Sequence, residues 1–313
     1  TGNLDVLRRY FEPMKQWCGY IVHTANTRRG SELPEETDRW LWNTGFHFGE
    51  WLIPGQPSEG LEICKESAGY IAPFFGYRTL RVFAEICLLL NRAECSEYSD
   101  YAAHMKQAIV DGLLTPGRLP QHLMGAYVLA FAFELVPETL YPQFAAQLRK
   151  LLDNADDCVG TGFLATPFLL DVVEKLYGTK AALRILMQTK QPSWLFEVEQ
   201  GATAIWENWF AFSEQGEPQK CSFDHYAFGC VDDWICRRLC GIDAAKPGFS
   251  ELRIAPLDDV PFDWVRTFVC EAGEIAVRKD GASLQVRIPP NTTAEVLWNG
   301  IARKIGSGAY TFH

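Results

Sequence analysis

The residues best suited to chemistry lie in GATAIWENWFAF, at 201–212. One carboxylate, Glu207, sits between Trp206 and Trp209 in a run with almost no other charge. A helix face that only meets water does not look like this. Either Glu207 is a buried structural acid with a partner, or it is held in an aromatic cleft to do chemistry. Three further motifs accompany it: SFDHYAFG at 222–229, TGFHFGEWL at 44–52 and TGFLATPFLL at 161–170. Most place Gly and aromatics on a loop running into a helix, and they add His225, His47 and Glu50. No Ser or Cys sits in a nucleophile-elbow context, and the sequence has no Gly-rich phosphate loop, HExxH motif or clean metal cluster. Asp232 and Asp233 are adjacent on an expected helix, about 100° apart, a poor arrangement for sharing one ion. No metal and no cofactor is expected. What remains is carboxylates with aromatics and histidine, the inventory of glycoside hydrolysis, which needs two carboxyl groups and a ring-shaped cleft.

Composition agrees with a small neutral ligand. The chain has 313 residues, a net charge of -10 and 10 Trp. The acidity argues against nucleic acid or an anionic membrane surface as partner. Surplus Trp is first a packing feature, but flat rings also stack on the apolar faces of sugars. No apolar run reaches the roughly 18 residues of a membrane span. The ten cysteines show no CxxC pair, and Cys18, Cys64, Cys87, Cys158, Cys230, Cys236 and Cys240 have apolar or helical neighbours. Free thiols in a reducing compartment, and so a cytoplasmic location, are the reading this favours.

Helices must carry these motifs. Apolar spacing predicts helices over 4–22, a pair over 61–90 broken near Gly76, 96–114 with Ser96 as N-cap, and 121–135. It predicts others over 137–152 with Pro137 in the first turn, 163–177, 180–189 and 222–240. The long segments 26–60, 154–168 and 191–224 are too aromatic for disorder, and gathered at one end of a layered helical domain they would form a cleft. After 247–249 the period changes. ELRIAPL, DWVRTFVC, GEIAVRK, ASLQVRI, TAEVLW and AYTFH alternate with a period near two, which predicts a small antiparallel β-sandwich. The expected domains are 1–246 and 247–313.

The succession TGFHFGEWL, TGFLATPFLLDVV, GATAIWENW, SFDHYAFGCVDDW, PGFSELRIAPL and PPNTTAEVLW resembles the C-terminal half of the bacterial α-L-rhamnosidases, glycoside hydrolase family 78. The resemblance runs from about residue 10 to the end. It implies a mainly α fold, an (α/α)6 six-hairpin barrel followed by a β-sandwich, and inverting hydrolysis of terminal α-L-rhamnose. It implies that Glu207 is the general base, that His225 contacts the sugar and that Trp51 lines the rhamnose pocket. Beside it, the residues themselves suggest Glu50 as a hydroxyl acceptor and Trp42 and Trp206 as ring contacts. A base must be ionised at working pH, so this reading requires hydrogen-bond donors beside Glu207. Asp224 stands where the family usually has Asn, and Glu50 where it usually has Asp. The family's general-acid segment, expected upstream of the first helix, has no counterpart; ELPEETDRWLW at 32–42 is acidic, but its spacing and order differ. The chain is therefore expected to be a C-terminal piece lacking the acid and the first part of the barrel, with exposed inner faces that could make it a homo-oligomer. Two alternatives stand beside this one: another (α/α)6 carbohydrate-active enzyme, such as a lyase with a Tyr or His base, and a non-catalytic carbohydrate-binding module.

Overall fold

The structure, a computed structural model, describes residues 2–27, 32–55, 62–115, 117–213, 216–257, 260 and 262–313, with 62–65 as backbone alone. Cys64 and the expected helix start at Leu61 therefore lie outside the described side chains and residues. The chain divides into two compact units, one of residues 7–229 and one of residues 1–6 with 230–313. The mainly α fold followed by strands in two sheets is as expected.

The helices run α1 (Asp5–Arg9), α2 (Phe11–Thr27), α3 (Glu35–Asp38), α4 (Glu62–Leu89), α5 (Cys95–Gly112), α6 (Met124–Ala132), α7 (Tyr141–Asn154), α8 (Thr166–Tyr177), α9 (Thr179–Leu186) and α10 (Trp194–Glu199). Consecutive helices pack as pairs, α4 on α5, α6 on α7 and α8 on α9, while α6 also meets α4 and α8. Helix α6 is apolar all round and buried from Met124 to Phe131, as a central helix must be.

Several expected boundaries are corrected. Helix α4 is continuous through Gly76 and contains Pro73. Gly76 marks a close approach rather than a break, since a Cβ there would lie 3.3 Å from Met105 Sδ of α5 and 3.6 Å from Ile21 Cγ2 of α2. Helix α5 starts at Cys95 after Glu94, so Ser96 is not its cap; the Glu94 carboxylate instead accepts from Lys15 Nζ at 2.7 Å. Pro137 belongs to a turn in which its carbonyl accepts from Leu140 N–H at 2.9 Å, and the proline in the first turn of α7 is Pro142. Helix α6 stops early because Glu134 turns left-handed at φ 58°. Leu135 N–H then reaches back to Ala130 O at 2.9 Å and Glu134 N–H to Phe131 O at 3.1 Å, a Schellman closure. Asn91 and Asp156 end α4 and α7 in the same way.

No regular helix spans 222–240 either. Residues 222–226 are irregular, followed by a 3₁₀ turn (Ala227–Cys230), α11 (Val231–Trp234) and a π-helical turn (Ile235–Leu239). Asp232 takes both Arg266 terminal nitrogens at 2.8 and 2.7 Å, and Asp233 pairs with Arg237.

The strand unit holds two four-stranded sheets. β1 (Ile242–Ala244), β2 (Glu251–Ile254), β6 (Thr293–Trp298) and β7 (Ile301–Ile305) form one, in that order. β3 (Trp264–Cys270), β4 (Gly273–Asp280), β5 (Ser283–Ile288) and β8 (Gly308–Phe312) form the other. All pairings are antiparallel except β2 with β6. Alternation buries Ile275 and Val277 of β4, Leu284, Val286 and Ile288 of β5, and Ala294, Val296 and Trp298 of β6. The short β1 and the polar β7 escape the period-two signal, since β7 has almost no buried face.

Candidate functional site

Glu207 is placed by a chain reversal. Helix α10 is capped by Ser193, whose Oγ accepts from Phe196 N–H at 3.2 Å. It ends at Gly201, left-handed at φ 80°, with Gly201 N–H on Val198 O and Ala202 N–H on Glu197 O. Glycine is the residue this closure favours, which explains the first letter of GATAIWE. The reversed segment then runs beside 222–225. His225 N–H donates to Ile205 O at 2.8 Å, and Glu207 N–H to Ser222 O at 2.9 Å. Ser222 N–H returns a bond to Glu207 Oε2 at 2.8 Å. One carboxylate oxygen is thus fixed by a backbone donor, as a working base requires, and Glu207 is half-buried. Gln191 Nε2 holds the far end of the segment through Trp209 O at 2.8 Å.

His225 lies in this same frame. Its ring is stacked between Phe163 (5.1 Å, 20°) and Tyr226 (5.0 Å, 15°). Nδ1 accepts from Ala227 N–H at 3.2 Å, so the proton of the neutral ring is on Nε2, where it can donate to a hydroxyl. His225 precedes the 3₁₀ turn rather than capping a helix.

Phe163 links this frame to the Trp51 loop, because its N–H donates to Trp51 O at 2.9 Å. Beneath that contact Glu50 is fully buried, and its Oε1 accepts from Ala165 N–H at 3.1 Å. Burial raises the Glu50 carboxyl to about 7, against the lowering effect of backbone N–H groups at 165, 162 and 164. The structure thus places Glu50 under the 161–166 turn, not at the surface. Trp51 is half-buried, with its ring edge-on to Phe48 at 5.6 Å.

The remaining aromatic residues divide among separate clusters. Trp206 is 3% exposed and packs on Phe212 and Phe223. Trp209, 1% exposed, lies 4.2 Å from Phe228 and donates to Thr161 O at 3.3 Å. Trp42 joins a different cluster, with Tyr20 at 5.4 Å and His47 at 5.2 Å, and donates to Thr44 O at 3.1 Å. The structure therefore brings together Glu207, His225, Trp206 and, through Phe163, Trp51 with Glu50, and leaves Trp42 outside these bonded contacts.

Sequence reasoning missed Glu197. It is 2% exposed, its Oε2 accepts from Trp206 N–H at 3.2 Å, and Oε1 has no partner. Burial raises its carboxyl to about 7, opposed by the Trp206 N–H. The available signal was its i, i+3 spacing from Trp194, which puts both on the inner face of α10. Among the described residues no three His, Cys, Asp or Glu side chains group as a metal site. No described helix is long and apolar enough to cross a membrane.

Residues 1–239 match the bacterial α-L-rhamnosidase six-hairpin glycosidase domain, and residues 241–311 match the bacterial α-L-rhamnosidase C-terminal domain. The chain is 29% identical over 309 residues to an α-L-rhamnosidase of Formosa agariphila, covering 95% of this chain and 32% of that protein. It is 32% identical over 212 residues to one of Streptomyces avermitilis, covering 65% of this chain and 21% of that protein. The chain thus spans about a third or less of the length of these relatives. Among solved structures, the Streptomyces avermitilis α-L-rhamnosidase complexed with L-rhamnose superposes with TM-score 0.81 at 24% identity, over 99% of this chain and 31% of that one. The Aspergillus terreus α-L-rhamnosidase superposes with TM-score 0.83 at 24% identity, over 100% of this chain and 37% of that one.

Proposed function

Because the chain belongs to the bacterial α-L-rhamnosidase family, we propose that it carries the general-base half of an inverting exo-glycosidase that removes terminal α-L-rhamnose. The supporting observation is Glu207, half-buried between Trp206 and Trp209 in the chain, with Oε2 fixed by Ser222 N–H and no bond to Oε1 among the described residues. Glu207 takes a proton from water, the water oxygen bonds to the anomeric carbon from the far face, and the glycosidic C–O bond breaks. The leaving oxygen takes its proton from a general acid, proposed to lie outside residues 1–313. His225 Nε2 donates to a sugar hydroxyl, and Trp51 forms an apolar wall for the ring. Trp206 shapes the pocket, and Trp42 makes a more distant ring contact. Glu50, expected as a hydroxyl acceptor, is fully buried and in this reading supports the Trp51 loop instead of meeting the sugar. The proposed division is a barrel portion over 1–246 and a sandwich over 247–313. The cysteine usage favours the cytoplasm, and a rhamnose-containing glycoside is the proposed partner.

The test compares the full-length protein with Glu207→Gln on an aryl α-L-rhamnoside. A folded variant should lose on the order of 10²–10⁴ in kcat. Full retention of kcat would remove Glu207 as base. Proton NMR of the first-formed sugar should show the β anomer; the α anomer would rule out inversion.

A further inference from the structure

A buried carboxylate with one free oxygen is a costly thing to keep in a fold. Glu197 is such a group, and nothing in the packing of α10 demands a charge there: its inward neighbour on the helix is Trp194, and the acid beside it, Glu199, is exposed. Its one described side-chain bond is to the main chain of Trp206, nine residues on and immediately before Glu207. The Ile205–Trp206 peptide is therefore pinned at both ends, its N–H by Glu197 and its C=O by His225 N–H, and the next peptide is held by Ser222 O on Glu207 N–H. Cys221 lies close enough to both acids that Glu207 and Glu197 each push its thiol up, after the larger effect of burial. Consecutive Cα atoms are about 3.8 Å apart, so a shift at Trp206 is passed directly to the carboxylate of Glu207.

We propose that Glu197 is a positioning residue for the reaction, holding the Ile205–Trp206 peptide, next in the chain to Glu207, so that the Glu207 carboxylate meets its water in the productive geometry. This rests on Glu207 being the base. In this role Glu197 need touch neither sugar nor water. A neutral acceptor at the same place can do the same work, because what the peptide needs is an oxygen at Trp206 N–H. A side chain without an oxygen cannot.

The experiment uses the full-length protein with Glu197→Gln, Glu197→Ala and, separately, Glu207→Gln, on an aryl α-L-rhamnoside. Glu197→Ala should lower kcat on the order of 10- to 100-fold with KM changed less than about threefold, since misplacement by about 1 Å can cost that much. Glu197→Gln should keep kcat within about threefold of the parent. A second readout does not need turnover: amide hydrogen exchange over 205–209 should speed up in Glu197→Ala and stay near parental in Glu197→Gln. Parental kcat and exchange in folded Glu197→Ala, or equal losses in Ala and Gln variants, would overturn the proposal. Parental kcat in Glu207→Gln would instead overturn the base assignment, while the exchange pattern still reports on Glu197.

Discussion

Two carboxylates behind the site set its response to pH. Glu50 and Glu197 are both raised from an ordinary value near 4.5 to about 7, in each case chiefly by burial. In the unfolded chain both ionise near 4.5, while in the fold both hold their protons until about 7. Their burial costs nothing while both states are protonated, and the cost grows as pH rises from about 4.5 to 7 and is complete above that. Stability against urea should therefore be higher at pH 5 than at pH 8, by up to about 3 kcal/mol for each group on the conversion of 1.36 kcal/mol per unit. Glu197→Gln should flatten this slope. A stability that rises between pH 5 and 8 in the parent would refute the raised carboxyls, and a slope untouched by the substitution would show that Glu197 does not keep its proton.

Among the elements, the turn 161–166 joins the two halves of the site. Gly162 is required there by closeness: a Cβ would come 2.2 Å from Trp51 O and 3.0 Å from Glu50 Oε1. Gly162→Ala must push the Trp51 loop away and should cost about 1–3 kcal/mol. Gly160→Ala is the control, since its Cβ meets the flexible end of Met124 at 2.6 Å, which can swing aside. Equal urea midpoints for the two variants would refute the argument. None of this closeness is visible in the sequence, although TGFLATPFLL stood out by composition. The motif residues, the helical domain and six of the eight strands were legible because periodicity and turn residues mark them. Helix ends were not, because Asn91, Glu134 and Asp156 take the left-handed position usually given to Gly. Glu197 was hidden for a related reason: its importance lies in a bond to main chain, which leaves no spacing rule of its own.

At the scale of the molecule, the helical unit exposes apolar surface that a solitary chain would be expected to cover. Trp17 and Val82 are 51% and 41% exposed along the groove between α2 and α4, where Met14, Phe75 and Ile86 also lie, and Tyr20, 44% exposed, stacks on Trp17. The expected homo-oligomer is proposed to form on this face. Sedimentation velocity should show concentration-dependent association, weakened in the double variant Trp17→Lys, Val82→Lys; identical sedimentation of parent and variant would exclude this face. The bonds that fix Glu207 and His225, by contrast, run almost entirely through peptide groups at 205, 207, 222 and 225. Such a scaffold is indifferent to most side chains it carries. Ile205 can be exchanged for many residues without disturbing the carboxylate, whereas proline at 222 removes the N–H that holds its Oε2. The side chains around Glu207 are thus free to be re-engineered while its carboxylate stays where the main chain holds it.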